Sequence, residues 1–516
     1  MNRDQCNNIA ALLDAAAERV PERPALCFQG GTCSFKELQR RVQRFATMLT
    51  SRGVRRGERV IIMIPMSPDL YVALLAVIRC GAVAVFVDPW ISMGRIAAFA
   101  SFAEPSAFIG IPKSHLLRLF NPKLAGLKLT FSTGFVFAGI PARYSINKAG
   151  ADSSRHAVEA VAADDPALIT FTTGSSDTPK GTNRTHGFLM AQNKALCETL
   201  DYSDQDVDMP MFPVFALRNI ATGITSVVPD INFKRVAEAD PHVIMQQIQA
   251  HGVTMLTASP PLIDQLASLA TPPLLKKIIT GGAPVTGKQL RAWQVAFPAA
   301  NVNIVYGSTE AEPVAHLSLE ERLSTDHLPG SCCGKPVPAV RSKIVKITHD
   351  PIPADKLAEF ELPQGEIGEL IVAADHICRD YYRNPEAVIQ NKILEPDGTC
   401  WHRMGDTGYF DVEGRFFLTG RVHSTIIRNG EVLHAQLVEQ RLHQLLPDAE
   451  RVAAFEEHGT LVAVVQTKTS HKKDAADLDV DRVIFTSRKM PLDPRHNSKI
   501  DYAVLKQRSR NQTRFD

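Results

Sequence analysis

Between Phe171 and Thr182 the chain reads Phe-Thr-Thr-Gly-Ser-Ser-Asp-Thr-Pro-Lys-Gly-Thr, with six hydroxyl side chains, two glycines, one proline and one lysine in twelve residues. Such a loop offers backbone N–H groups, O–H donors and one ammonium, a set suited to a polyphosphate. It is not a Walker A loop, which needs Gly-Lys-Ser/Thr with the lysine opening a helix; here Lys180 lies between Pro179 and Gly181. Taken alone it also admits the plainer reading of a polar surface turn. Three other stretches carry groups of the right kind: Tyr306-Gly-Ser-Thr-Glu310, the run from Met404 to Arg421 with Asp406 in Gly-Asp-Thr-Gly, and Lys499 in Asn497-Ser-Lys-Ile-Asp501. Each has an ordinary alternative. Glu310 reads as a helix N-terminal carboxylate, Asp406 as an Asx-turn residue, and Lys499 as one lysine among many. The sixteen histidines show no metal-ligand spacing.

Composition narrows the partners. The 516 residues are 45% hydrophobic and 22% charged with a formal net charge of +2, as in ordinary globular proteins, and long enough for two to four domains. No basic run is interleaved with aromatics, which argues against nucleic acid. The nine cysteines are scattered without a Cys-x-x-Cys pair, and Cys332-Cys333, between Gly330 and Gly334, is expected in a loop. The polar start, Met1–Ala10, is not a signal peptide, and the most apolar run, Tyr71 to Val87, is cut by Arg79 and Gly81 and is too short to span a bilayer. A cytoplasmic enzyme without a transmembrane segment is expected.

The elements that must hold these groups alternate. Helical spacing covers Asn8–Arg19 and Ser34–Arg52, with Ser34 as N-cap and Glu37 at the capping-box position. Arg59–Pro65, Val83–Val87 and Ala107–Gly110 read as apolar strands, with Pro68–Ile78 a helix capped by Ser67. Continuous apolar strands alternating with helices predict parallel sheets covered on both faces. The stretch from Asn121 to Asp165 gives no clear period. Beyond the loop, helices are predicted at 186–200, 241–251 and 260–270, and strands at 254–257, 277–280 and 302–305. Gly281-Gly282-Ala283-Pro284 closes one of these strands at its carboxyl end, where open α/β sheets bind ligands. After about residue 330 antiparallel strands are expected, a boundary falls at Gly420-Arg421, and the basic tail from Lys506 is expected to fray.

The order and spacing of these motifs, from Ser34-Phe-Lys-Glu-Leu38 to Lys499, resemble the adenylate-forming superfamily of acyl-CoA synthetases, luciferases and peptide-synthetase adenylation domains. The resemblance implies an α/β fold: an N-terminal adenylation domain over 1–420, with α/β subdomains to about 330 and a distorted β-barrel over 331–420, then a small mobile α+β domain over 421–516. It implies attack of a carboxylate on the α-phosphate of ATP. Thr172, Thr173, Gly174, Ser175, Ser176, Thr178 and Lys180 would cradle the outer phosphates. Glu310 would hold Mg²⁺ and Thr309 would contact the α-phosphate. Gly281, Gly282, Ala283, Pro284, Tyr306 and Gly307 would line the adenine slot, Asp406 would bind the ribose hydroxyls assisted by Arg421, and Lys499 would stabilise the transition state. His423 stands at the hinge about which the small domain rotates.

Within the superfamily, Pro210-Met-Phe-Pro-Val-Phe-Ala-Leu-Arg-Asn219 and Asp493-Pro-Arg-His-Asn-Ser-Lys-Ile500 are similar to the olefin-pathway β-lactone synthetases, whose β-hydroxy acyl-adenylates close with loss of AMP. The acyl substrate would meet Phe212, Phe215, Arg218 and Gly307. Arg218 implies either a polar or acidic substrate end or a side chain turned to solvent. Asp177 stands where relatives usually carry glycine. Thioester formation with CoA, transfer to an acyl carrier protein or pathway enzyme, and a weakened relative serving as a binding module are the alternatives.

Overall fold

A computed structural model describes residues 7–87, 93–134, 142–146, 156–172, 180–233, 238–428, 431–469, 473–492 and 500–510. Two large sheets dominate it. The first has seven strands in the order Tyr144–Ser145, Leu129–Ser132, Ala107–Gly110, Arg59–Met63, Val83–Phe86, Pro166–Thr172 and Lys180–Thr185. All its pairings are parallel except the last, which is antiparallel. Its middle strands are mostly apolar because both faces are covered. The helix Pro68–Arg79 shows why: Ser67 caps it, Pro68 opens it, and every side chain from Leu70 to Arg79 is buried.

The second sheet has fourteen strands. Its parallel part runs Pro24–Phe28, Thr225–Val227, Val207–Pro210, Met255–Thr257, Lys277–Gly281 and Asn301–Ser308. Ala311–Ser318 then turns back antiparallel and leads through Ser331–Pro336 to Phe416–Arg421, Cys400–Phe410, Gly368–Ala373 and Arg341–Val345, all antiparallel. Downstream of Arg421 the strands join neither large sheet: Thr425–Arg428 pairs with Glu431–His434, and Arg451–Glu457, Thr460–Gln466 and Arg482–Thr486 form a three-stranded sheet under the helix Ala435–Leu445. That helix touches the larger part through polar contacts: Gln440 accepts from the Gly330 N–H at 2.8 Å and donates to the Leu328 carbonyl at 2.9 Å.

Several expectations are revised. The aperiodic region contains the strand Leu129–Ser132, short enough to leave no repeat. Cys332 and Cys333 lie in a strand, not a loop, and are buried. Ser34 caps its helix, but the Glu37 carboxylate pairs with Arg40. The tail from Lys506 is helical to Arg510, because Leu505 is buried against the three-stranded sheet and Arg510 pairs with Glu457.

Glu439, on the helix Ala435–Leu445, accepts from the Ala454 N–H at 2.9 Å and from the Tyr502 hydroxyl, and burial pushes its carboxyl up to about 7. A carboxyl that holds its proton more tightly when folded makes the native state lose stability as pH rises from about 4.5 toward 7. Glu439→Gln removes that dependence. Relative to the variant, the parent chain is expected to lose roughly 2–3 kcal/mol of stability between pH 5 and pH 8. Denaturant titrations at the two pH values check this; a difference independent of pH would show that Glu439 does not titrate in that window.

Candidate functional site

The hydroxyl-rich loop spans residues 173–179, so Thr173, Gly174, Ser175, Ser176, Asp177 and Thr178 lie outside the described residues, as does Lys499. The loop's base is described. Thr172 and Lys180 are register partners in the antiparallel pair that closes the first sheet, so the loop joins two paired strands and not a strand and a helix. This separates it structurally from a Walker A loop.

Lys180 emerges beside a second segment that sequence reasoning did not single out. Tyr381 bridges to Thr182, and the Tyr382 N–H donates to the Gly181 carbonyl at 2.8 Å. The same segment holds the other motif: Ile377 bridges to Ala311, and the Cys378 N–H donates to the Glu310 carbonyl at 2.8 Å. The residues from Ile377 to Tyr382 therefore stitch the hairpin of Pro166–Thr172 and Lys180–Thr185 to the Thr309–Glu310 turn. Through it Lys180, Tyr381 and Glu310 come together. The Tyr381 hydroxyl donates to Glu310 Oε1 at 3.3 Å, and its ring centre lies 5.9 Å from Lys180 Nζ and 5.2 Å from Lys392 Nζ.

Lys392 is buried and donates to the Cys378 carbonyl, and burial lowers its ammonium below the usual lysine range. From below, the buried Arg184 donates to the Thr309 carbonyl at 2.9 Å. Tyr381 and Lys392 carried a signal in retrospect. Arg379-Asp-Tyr-Tyr-Arg383 puts two aromatics in a charged turn, and Lys392 and Ile393 are the buried residues of a short strand.

A second group converges where the two parts of the large sheet meet. Asp406 and Arg421 are register partners on adjacent strands, and Arg421 Nη1 donates to Asp406 Oδ1 at 2.5 Å. The Tyr306 hydroxyl donates to Asp406 Oδ2 at 2.6 Å. Burial, with Asp406 beside it, holds the Tyr306 phenol well above its usual range, so it remains a donor. The Asp406 charge raises Arg421 above the ordinary arginine value, and Glu310 adds to that shift, so the two groups share one field.

Behind Asp406 stands a buried ion pair. Arg403 donates to Glu369 Oε2 at 2.6 and 3.0 Å and to the Thr348 and Asp350 carbonyls, while Glu369 Oε1 accepts from the Gly405 N–H at 3.2 Å. Gly405 takes φ +67°, the left-handed conformation that a side chain would resist.

The glycines follow the same geometry. Gly281 ends its strand beside Val305, and a Cβ there would meet the Val305 carbonyl oxygen at 2.5 Å; at Gly307 a Cβ would meet the Ala311 oxygen at 2.6 Å. Gly282 (φ +76°), Ala283 and Pro284 continue the turn toward the open end of the sheet. His423 lies in a single 3-10 turn, Val422–Ser424, directly after Arg421, and burial lowers its imidazole below the usual range.

Of the residues expected to meet the acyl substrate, Phe212 precedes, and Phe215 sits in, the helix Pro213–Thr222, their ring centres 6.2 Å apart. Phe215 packs with Ile279 and Val305, directly beneath Gly281 and Tyr306. Arg218 does not face solvent. It is buried, with its Cζ 3.0 Å from the Tyr202 ring centre.

Among the described residues no cluster of His, Cys, Asp and Glu is built to hold a metal unaided, and no helix is long and apolar enough to cross a membrane. Glu310 supplies a single carboxylate with one oxygen bonded to Tyr381, a donor set that fits a hard cation taking its remaining oxygens from phosphates and water.

Comparison with known proteins agrees with this arrangement. The family model described as AMP-binding enzyme matches residues 13–382. An olefin β-lactone synthetase of Stenotrophomonas maltophilia is 34% identical over 464 residues, 85% of this chain and 83% of that protein. 4-Coumarate–CoA ligase 5 of Oryza sativa is 28% identical over 445 residues, 81% and 77% respectively. The solved structure of the amide bond synthetase McbA from Marinactinospora thermotolerans superposes with a TM-score of 0.81 at 22% identity, covering 97% of this chain and 99% of that one. The chain belongs to the AMP-binding enzyme family and is an AMP-forming ligase.

Proposed function

We propose that this protein couples ATP to a hydrophobic carboxylic acid, forming an acyl-adenylate and pyrophosphate, and that a β-hydroxyl of the acyl group then closes onto the acyl carbon with loss of AMP. The observation that carries the first step is the convergence on Asp406: its carboxylate stands between Tyr306 and Arg421, as a ribose-binding acceptor would. Lys180 and the loop hydroxyls hold the outer phosphates, and Thr309 faces the α-phosphate. One carboxylate oxygen of the acid attacks the α-phosphorus, and the bond to the pyrophosphate oxygen breaks. Mg²⁺ held by Glu310 would neutralise charge on the phosphates. Lys499 brings the cation that lets two anions meet. We assign residues 421–516 to a mobile unit hinged at His423; Gln440 and its neighbours give it a small polar contact that a rotation can exchange. A cytoplasmic location is part of this reading.

The second step rests on the 34% identity to a protein named olefin β-lactone synthetase. Its rival, thioester formation with CoA, is favoured by the likeness to a 4-coumarate–CoA ligase. The deciding measurement is pyrophosphate and AMP release with ATP, Mg²⁺ and a panel of fatty and β-hydroxy acids, with and without CoA. AMP release on β-hydroxy acids without CoA is expected; a strict CoA requirement would overturn the lactone step, and no pyrophosphate release with any acid would overturn the adenylation.

Tyr381 should tune Glu310. In Tyr381→Phe the carboxylate loses its hydroxyl donor, and the Mg²⁺ concentration for half-maximal pyrophosphate release is expected to shift about threefold to tenfold. A Mg²⁺ titration of both proteins, with thermal melts to show an intact fold, reads the effect.

A further inference from the structure

Arg218 is 5% exposed, yet no carboxylate of the described residues lies within ion-pairing distance of it. A guanidinium cannot shed its charge, so burial without an anion carries a large desolvation cost. Its contacts are uneven around the fork. Nη1 donates to Asn219 Oδ1 at 3.1 Å, and Asn219 in turn donates to the buried Asp208 at 2.7 Å, so that end has a distant counter-charge. Burial raises Asp208 to about 7, which weakens even that compensation. The other edge is open chemically: among the described residues Nη2 meets only the Cys197 thiol at 3.6 Å, a weak acceptor, and Nε has no partner. The Nε–Nη2 edge is one on which a guanidinium can bind a carboxylate through two parallel hydrogen bonds. The Tyr202 hydroxyl, on the ring that Arg218 covers, is also buried without a partner. Among the described residues three donors are therefore collected in one place with no acceptor beyond the weak Cys197 thiol.

That place is the acyl side of the site. Arg218 follows Phe215 by one helical turn, and Phe215 and Tyr202 belong to the cluster containing Ile279 and Val305, which underlies the Gly281 and Tyr306 strand ends. One packed cluster thus connects those strand ends to Tyr202 and, one turn along the helix from Phe215, to Arg218.

Resting on the adenylation reading above, we propose that Arg218 is a specificity-determining residue of the acyl pocket and that the acid activated here carries a second, distal carboxylate. The Nε–Nη2 edge receives that carboxylate, Tyr202 adds a third hydrogen bond, and the incoming anion supplies the charge that the fold leaves out.

The test is ATP–pyrophosphate exchange by the full chain, comparing monocarboxylic acids with α,ω-dicarboxylic and ω-hydroxy acids of matched length. It is run on the parent chain and on Arg218→Leu, Arg218→Lys and Tyr202→Phe. The parent is expected to favour a dicarboxylic acid by about tenfold or more in kcat/KM. Arg218→Leu should reverse that preference, chiefly through KM, while Arg218→Lys keeps the direction with a smaller ratio. Tyr202→Phe, which keeps the ring under the guanidinium, should reduce the ratio without reversing it and covers the case in which Arg218→Leu fails to fold. Exchange that favours monocarboxylic or ω-hydroxy acids, with ratios unchanged in the variants, would overturn the proposal and leave adenylation standing. Exchange with no acid would overturn both.

Discussion

Replacing Lys499 by alanine is expected to slow pyrophosphate release roughly 10²- to 10³-fold while ATP still binds. Two anions must approach for the carboxylate to reach the α-phosphate. A cation positioned between them acts chiefly on the transition state, where charge is most crowded, so its loss appears in the rate and not in nucleotide affinity. Lys499 directly precedes Ile500, which pairs antiparallel with Leu492 and packs with Phe455 and Leu505 in the small C-terminal core. Its neighbour is thus anchored in the part of the chain proposed to rotate. Pyrophosphate release measured at saturating acid, with a parallel ATP titration, separates the two effects. Undiminished release would remove the lysine from the mechanism.

Glu369→Ala is expected to cost about 3–5 kcal/mol of stability. Glu369 and Arg403 are both almost wholly buried, and among the described residues Glu369 is the one side chain bound to Arg403's charge; its other partners are the Thr348, Asp350 and Gln390 carbonyls. Removing the carboxylate strands the cation, while Glu369→Gln keeps an acceptor and should cost less. The effect should also reach the nucleotide. Glu369 Oε1 holds the Gly405 N–H, and Gly405 sets the φ from which Asp406 emerges, so the variant's ATP affinity should fall along with its stability. Denaturant melts and ATP titrations of both variants check this; a nucleotide affinity equal to the parent's would show that Asp406 holds its place without Glu369.

Much of this fold could be read from the chain because its parallel strands are buried on both faces and announce themselves as apolar runs, as at Arg59–Met63 and Val83–Phe86. Helices with a local stop and start, such as Pro68–Arg79 behind Ser67, were equally plain. What escaped was set by long-range contacts. Leu129–Ser132 is a strand only because Ala107–Gly110 lies beside it. Cys332 and Cys333, flanked by glycines, looked like a turn and are strand residues because Phe416–Arg421 pairs with them. Asp406 and Arg421 were named from their motif, and their partnership is a matter of register between two strands. Tyr381 and Lys392 were missed because nothing local to them points to Glu310, some 70 residues earlier. Arg218 left two readings open, since orientation on a helix depends on what packs against it, and the structure turns it inward.

The pairing of Leu26 with Ser226 has a consequence for how the chain is made. The hairpin formed by Pro24–Phe28 and Gly31–Ser34 is an edge of the large sheet, and among the described residues the only strand beside it comes 200 residues later (226 − 26). At about 5–20 residues per second a ribosome needs roughly 10–40 s to supply that neighbour. Through this interval the buried residues of its first strand, Ala25, Leu26 and Cys27, have no sheet to join on either face, and closing so long a loop makes their docking a late step. Yield on expression should therefore respond to the pace of translation and to chaperone supply more than to the stability of the finished protein.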